Sequence, residues 1–153
     1  MSVESILRAE LLADPGLSAL IGDRLYWVRL PQNPQLQNLY PCGVYHRIST
    51  VPLYVHTRGR NPLTGGQASI GQVRFSFTFW SGDGAQGAAQ VGAIGLALKA
   101  AMENVNLIAL PTSPATINNA PNRLVFETYD FEVNTQPPLP RGRLDFISWY
   151  SDQ

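Results

Sequence analysis

Residues 73–87 read VRFSFTFWSGDGAQG, and this stretch decides between two kinds of fold. Its first part has the period-two pattern of a strand with one buried face. The alternation sets Val73, Phe75, Phe77 and Phe79 against Arg74, Ser76, Thr78 and Trp80. Its last part, from Gly82 to Gly87, has the G-x-G-x-x-G spacing of a dinucleotide-binding loop. The stretch therefore predicts a strand followed either by a plain turn or by a cofactor site.

The glycine triplet lacks the context that a dinucleotide site needs. Such a site follows a buried parallel strand and has an acidic residue about 20 positions later. The alternation here instead indicates a half-exposed antiparallel strand. The nearest acid, Glu103, falls near the end of the next helix, which leads into a segment broken by prolines. We interpret Gly82 and Gly84 as a turn around Asp83, whose carboxylate can cap that helix, and we expect no cofactor.

The remaining sequence divides into helical and strand patterns on either side of this stretch. Helical spacing predicts an N-terminal helix ending at Asp14-Pro15-Gly16, one more turn over 17–21 and a long helix over 85–105. In the long helix, Gly92 and Gly95 indicate close approach of the sheet or of a neighbour. Aromatic and branched residues predict strands over 24–30, 42–50, 72–80, 123–133 and 141–150.

The order of these elements predicts the fold class. With short or looped connections between strands, the order α-β-β-β-α-β-β is typical of an α+β fold. We expect a mainly antiparallel sheet with the N-terminal helix and the long helix packed on one face. At 153 residues the chain is the size of one domain. We therefore predict a single domain over 1–153, with a long loop or hairpin arm at about 51–71.

The composition favours association with other protein. The net charge is zero and charged residues are only 14% of the chain, compared with about 25% in an average domain. Of the 11 basic residues only Lys99 is a lysine, and Arg is enriched at interfaces where Lys is depleted. A GC-rich genome would produce the same bias. Trp80, Trp149 and Tyr150 suit either core filling or an anchor between subunits.

The sequence contains no pattern that supports catalysis, metal binding or nucleic-acid binding. His46 and His56 lack converging acids or a second ligand at short spacing, and Cys42 is the only cysteine. The chain has no basic excess for nucleic acid, and no signal peptide or membrane-spanning run. We expect a non-enzymatic protein with no metal, no membrane association and no specific nucleic-acid binding. A small nucleotide-binding enzyme using Gly82 to Gly87 stays as a weak alternative.

Three segments resemble a known family. The segment LLADPGLSALIGDRLY (11–26), the segment YPCGVYHRI (40–48) and the segment QVRFSFTFWS (72–81) are similar to the phage tail completion or tail terminator proteins of long-tailed phages. The resemblance spans roughly residues 5–105 and is weaker beyond. The chain departs from the pattern by its 51–71 segment and by proline-rich loops near the end.

The resemblance implies a structural virion protein at the head-proximal end of the tail, assembled in the host cytoplasm. It implies a ring, commonly a hexamer, that ends the tail tube and joins it to the head. The implied partners are other copies of the chain, the major tail tube protein and a head completion or connector protein. We predict interface roles for Arg58 and Arg60, in the 51–71 arm, and for Arg74 and Trp80. The alternative is another neck or minor tail component.

Overall fold

The computed structural model describes residues 2–31, 40–53, 70–82, 86–107, 122–133 and 138–151. Over these residues the chain forms three helices and five strands. The helices are α1 (Val3–Ala13), α2 (Pro15–Ile21) and α3 (Gly87–Asn104). The strands are β1 (Leu25–Trp27), β2 (Cys42–Leu53), β3 (Ile70–Trp80), β4 (Arg123–Glu132) and β5 (Leu139–Ser151). Most of the predicted 51–71 arm lies outside the described residues.

The five strands form one sheet in the order β1-β2-β3-β5-β4. β3 lies at its centre and is antiparallel to both β2 and β5, and β4 is antiparallel to β5. The predicted buried face of β3 is present. Val73, Phe75, Phe77 and Phe79 are each at most 2% exposed. The expectation of an α+β fold with a mainly antiparallel sheet is confirmed.

The first strand differs from its prediction in length and direction. β1 has three residues instead of the seven predicted over 24–30, and it pairs parallel to β2 with Leu25 opposite Gly43. Val28 has a φ of 68°, in the left-handed region that a β-branched residue rarely adopts. This turn ends the strand, while the Val28 N–H still donates to the Tyr45 carbonyl at 3.0 Å.

Capping residues explain the N-terminal helices. The Ser2 hydroxyl accepts from the Ser5 N–H at 3.2 Å and begins α1. Asp14 ends α1 and also caps α2, because its carboxylate accepts from the Leu17 N–H at 2.9 Å and Pro15 follows at the first helical position. The predicted stop at Asp14-Pro15-Gly16 is therefore a junction between two helices.

The three helices cover one face of the sheet and enclose the core. The core joins leucines of α1 and α2 and the apolar stripe of α3 to aromatic side chains of β3 and β5. Phe77 lies at its middle, stacked on Tyr45 with centroids 6.1 Å apart and edge-on to Phe146 at 5.9 Å. The opposite face of the sheet has no helix on it in the described part of the chain.

The glycines of α3 have different surroundings. A Cβ at Gly95 would collide with the Tyr129 hydroxyl, so this glycine allows β4 to approach the helix, as predicted. At Gly92 no described atom lies within 4 Å of a Cβ position, so the sheet does not approach the helix there, and approach of a neighbouring chain stays a prediction. At the end of α3, the Asn122 amide donates to the carbonyls of Met102 (2.6 Å) and Val105 (2.8 Å), which ties the start of β4 to the helix.

Candidate assembly surfaces

The glycine triplet forms a packed junction between β3 and α3. A Cβ at Gly87 would lie 2.8 Å from Pro140 Cγ and 2.9 Å from the Gly82 carbonyl oxygen, so only glycine fits. The Ser81 hydroxyl is within hydrogen-bond distance of the carbonyls of Gly82 (3.0 Å) and Gly87 (2.8 Å). The strand before Gly82 is antiparallel to both of its neighbours, so it is not the parallel strand that a dinucleotide cradle requires.

Two features of the α3 N-terminus bear on the predicted turn. Asp83 and Gly84 lie outside the described residues, and the helix begins after Gln86, whose side chain makes no capping hydrogen bond. A cleft of about 500 Å³ lies beside it, lined by Tyr40, Gln86, Gln90 and small neighbours. Its described lining includes no cationic side chain, so it has no group that would pair with a phosphate.

The cysteine considered for chemistry is unreactive in its surroundings, and His56 lies outside the described residues. Cys42 is buried, and burial raises the pKa of its thiol to about 12, partly opposed by the Arg24 charge. A thiol with so high a pKa is protonated at neutral pH and is a poor nucleophile. Within the described ranges, no three His, Cys, Asp or Glu side chains come together as a metal site. Among the same residues, no helix is both long and apolar enough to cross a bilayer.

Two of the four predicted interface residues lie on the helix-free face of the sheet. Arg74 and Trp80 are both on β3, point away from the helices and are partly buried. Arg58 and Arg60 lie outside the described residues. We call the helix-free surface of β3 and β5 the open face, defined by Arg74, Ser76, Trp80, Arg143 and Asp145.

A buried carboxylate organises the open face. Asp145 is fully buried and binds two arginines: Arg74 Nη2 at 2.7 Å, and Arg143 through Nε and Nη2, both at 3.1 Å. Arg143 Nε also donates to the Ser76 hydroxyl at 3.1 Å. The register places Ser76 opposite Asp145, and so brings Asp145 next to Arg74, which lies 71 residues before it in the chain. We call Arg74, Ser76, Arg143 and Asp145 the Asp145 cluster.

The electrostatics of the Asp145 cluster favour the charged carboxylate. Burial raises the pKa of Asp145, but hydrogen bonds from Arg143, Arg74 and Ser76 outweigh burial and leave the pKa below its usual range. Two guanidinium groups against one carboxylate give the cluster a formal surplus of one positive charge. Arg74 and Arg143 remain 37% and 43% exposed, so both are accessible to a partner. The Arg143 guanidinium also lies 5.2 Å from the centre of the Phe126 ring.

A second ion group lies at the outer strand. Arg141 binds both oxygens of Asp130 at 2.8 Å and an oxygen of Glu132 at 2.6 Å. These hydrogen bonds lower the pKa of Asp130 and raise the pKa of Arg141. Asp130 is 48% exposed, so the pair is screened by solvent and contributes at most about 1 kcal/mol to stability.

Exposed apolar side chains concentrate at the two edges of the sheet. Ten large hydrophobic residues of the described chain are exposed, and nine of them lie at these edges. We define the β2 edge by Trp27, Val28, Ile48 and Val51, and the β4 edge by Leu124, Phe126, Tyr129, Phe131 and Val133. The tenth, Leu96, lies alone on the outer side of α3. Such concentration is typical of surfaces that bind other proteins.

Sequence reasoning missed the Asp145 cluster and both edges. Arg141, Arg143 and Asp145 alternate along a predicted strand, which places them on one face, and this signal was available. Their contact with Arg74 depends on which strand lies beside which. Of the predicted aromatic anchors, Tyr150 is 6% exposed and belongs to the core, whereas Trp80 and Trp149 are partly buried on the open face.

A comparison with protein families matches residues 5–150 to the model described as tail completion protein gp17. The chain belongs to the gp17 tail completion family. The match continues through β4 and β5, so the family pattern extends well past residue 105, where the sequence resemblance weakened. A comparison with curated proteins gives no match. The gp17 family is a structural family of the phage tail and not a family of enzymes, and membership makes this chain a tail completion protein of the virion.

Proposed function

We propose that the chain forms a ring at the head-proximal end of the phage tail, where it ends the tail tube and joins the tail to the head. The observation that carries this proposal is the match to the gp17 tail completion family over residues 5–150. The low charge and the apolar edges of the sheet support it, because both suit a subunit with several protein neighbours. The neighbours that we propose are other copies, the tail tube protein and a head completion or connector protein.

The open face is suited to contact with one of these neighbours. It presents two partly exposed guanidinium groups and an aromatic side chain, Trp80, which are residue types enriched at binding hot spots. The Asp145 cluster pairs its buried carboxylate with two arginines of the same chain and leaves both guanidinium groups partly exposed for a partner. We therefore assign Arg74 and Trp80 to contact with a tube or head-side protein.

Particle morphology in a host lacking this gene tests the proposed role. We expect tails without heads and with uncontrolled length, and normal virions when the wild-type chain is supplied. Electron microscopy with a labelled chain should place the label at the head-proximal end, in a ring. Label along the tube or at the distal tip would contradict the proposal and favour another tail component.

Variants of the predicted interface residues refine this test. Arg58→Ala with Arg60→Ala should weaken assembly while leaving the monomer folded, as measured by the yield of joined particles and by circular dichroism. Trp80→Ala should lower the yield of joined particles, with Leu96→Ala, at an exposed position of α3 away from the open face, as the control. Joining at the wild-type yield in all of these variants would remove these residues from the interface.

A further inference from the structure

The charged side chains of the open face are sorted along its strands, and one end of the face is basic. The face continues onto β4, where Arg123 lies opposite Ile147 on one side as Arg74 does on the other. We propose that this basic end binds the carboxylates of an acidic segment on a neighbouring tail protein. The proposal rests on the proposed function for the kind of neighbour, and it adds the chemistry of the contact.

The basic end contains three arginines and one carboxylate. Arg74 and Arg123 are the register partners of Ile147 on its two sides, so their side chains leave the same face about 10 Å apart, which is two strand spacings. Arg143 and Asp145 lie on the same face of β5, in the alternation that leads to Ile147. Three positive charges against one negative charge leave a surplus of two. The basic end therefore has room for carboxylates that this chain does not supply.

The buried carboxylate fixes two of these arginines beside each other. Arg74 Nη2 and Arg143 Nη2 both donate to the same Asp145 oxygen, Oδ2, at 2.7 and 3.1 Å. Arg74 makes no other side-chain hydrogen bond to described residues, and its Nε has no partner there. Both guanidinium groups thus keep N–H donors for a second acceptor. Because Asp145 already holds them in place, an incoming carboxylate meets donors whose ordering cost is largely met.

Arg123 adds a charge that the described chain leaves unpaired. It is exposed at the start of β4, and it forms no ion pair within the described ranges. Its charge can therefore be reversed without breaking a described contact. This makes Arg123 the residue at which the proposal is best tested.

The other end of the open face is acidic, and this favours a protein over nucleic acid. There Arg141 faces two acids, Asp130 and Glu132. Arg141 is six residues from Ile147 along β5, about 20 Å away. A nucleic-acid backbone carries its charge at even spacing and gains affinity only from several neutralised phosphates, so along β5 it would meet repulsion at the acidic end. A protein segment can carry its acids at one end only.

Apolar side chains around the arginines define the partner further. The Phe126 ring is 42% exposed and lies 5.2 Å from the Arg143 guanidinium, which keeps the guanidinium plane oriented. Ile147, between Arg74 and Arg123, is partly buried. A partner that covers these side chains removes water from the arginines and so strengthens their ion pairs. The expected segment carries aspartate or glutamate flanked by apolar residues.

Titration of the nitrogen-15-labelled full chain with triglutamate, acetylated and amidated at its ends, tests the site by NMR. We expect amide shifts around Arg74, Arg123 and Arg143, and a dissociation constant in the millimolar range, because the short peptide supplies carboxylates without the apolar contacts. Arg123→Glu should weaken binding at least about tenfold, because it replaces a cation by an anion at the site. High salt should weaken the wild-type affinity by screening.

Arg29→Glu is the matched control. Arg29 is exposed, follows β1 at the opposite side of the sheet from β4, and gives the same change in net charge. We expect wild-type affinity for triglutamate in Arg29→Glu. Circular dichroism verifies that both variants are folded.

Every other result of the titration overturns the proposal. Wild type without shifts at millimolar triglutamate would show that the basic end binds no carboxylate. Equal affinity in wild type and Arg123→Glu, or an equal loss in Arg29→Glu, would show that binding does not occur at this end of the face. A short DNA duplex that binds more tightly than triglutamate and depends on Arg123 would make nucleic acid the occupant.

Phage production separates this proposal from the proposed function. Arg123→Glu should lower the yield of joined particles at least about tenfold, whereas Arg29→Glu should leave it unchanged. Suppressors that restore joining should replace an acid by lysine or arginine in another virion protein, and suppressors of that kind in this chain would make a second copy the occupant. If a labelled chain lies away from the head-proximal end while triglutamate still binds, the proposed location fails and the carboxylate site stands.

Discussion

The two faces of the central sheet bury their side chains by different means. The helix-covered face of β3 and β5 is filled by aromatic and aliphatic groups, with Phe75 and Leu144 fully buried. The open face buries a carboxylate and a hydroxyl, Asp145 and Ser76, beneath two arginines. The difference shows that one alternating strand can serve a core and an exposed surface together, because the buried carboxylate on the open face is paired with two arginines of the same chain.

The largest expected effect is on the helix-covered face. Phe77→Ala should lower the free energy of unfolding by about 3–5 kcal/mol, because it removes a buried ring between Tyr45 and Phe146 and leaves a cavity. Thr78→Ala, one position along and on the open face, is the control and should cost less than about 1 kcal/mol. Urea denaturation measures both, and equal losses would mean that the two faces do not differ in packing.

A smaller effect is expected from the centre of the open face. Asp145→Asn should destabilise the protein by about 1–3 kcal/mol, because two arginines lose the charge that their hydrogen bonds favour. The effect stays below that of Phe77→Ala since both guanidinium groups are partly solvated. Asp130→Asn, which also loses a carboxylate bound to an arginine but at 48% exposure, should cost less than about 1 kcal/mol. A larger loss for Asp130→Asn in urea denaturation would contradict the importance of burial here.

Acid pH should remove the stabilisation that Asp145 gives to the open face. Because the pKa of Asp145 is depressed in the folded protein, its stabilisation is complete above its ordinary pKa of about 3.9 and is lost as the pH falls through the depressed value. Thermal unfolding of wild type and Asp145→Asn should therefore differ by a constant amount from pH 5 to 7, and the difference should shrink below about pH 4. The other carboxylates titrate in both proteins, so the difference isolates Asp145. A difference that grows on acidification would show that the folded-state pKa is raised.

The smallest expected effect is at the contact between α3 and β4. Gly92→Ala should stabilise the protein by about 0.5–1 kcal/mol through helix propensity, because no described atom lies within 4 Å of the added methyl group. Gly95→Ala has the same propensity gain, but it displaces Tyr129 from its position over the helix and from its 2.9 Å hydrogen bond with Glu127. We expect Gly95→Ala to be at least about 1 kcal/mol less stable than Gly92→Ala in chemical denaturation. Equal stabilities would mean that α3 and β4 do not touch at this point.

Local sequence patterns predicted most of the helices and strands. They failed where contacts between distant segments decide the structure. The alternation of residues 73–80 predicted the two faces of β3, and Asp14-Pro15 predicted a helix end. The parallel pairing of β1 was missed, because strand direction depends on the path of the chain between residues 27 and 42. Gly92 and Gly95 look alike in sequence, and only the position of Tyr129 separates them.

The candidate surfaces likewise include residues that the sequence predicted and contacts that it could not predict. Arg74 and Trp80 were predicted from their place on the polar side of one strand, and the structure places both on the open face, although their role as an interface stays a prediction. Asp145 could not be assigned to Arg74 from sequence, since the pairing requires the register of β3 with β5. Arg58 and Arg60 lie outside the described residues and remain predictions.

The sequence by itself determined most of the elements, the apolar side of β3 and the family, because these depend on residues that are near neighbours along the chain. The tertiary structure decided which strands are edges, which carboxylate is buried and which glycine meets a side chain. These properties arise from contacts between segments far apart in sequence, and their energies depend on strand order and register that no short stretch encodes.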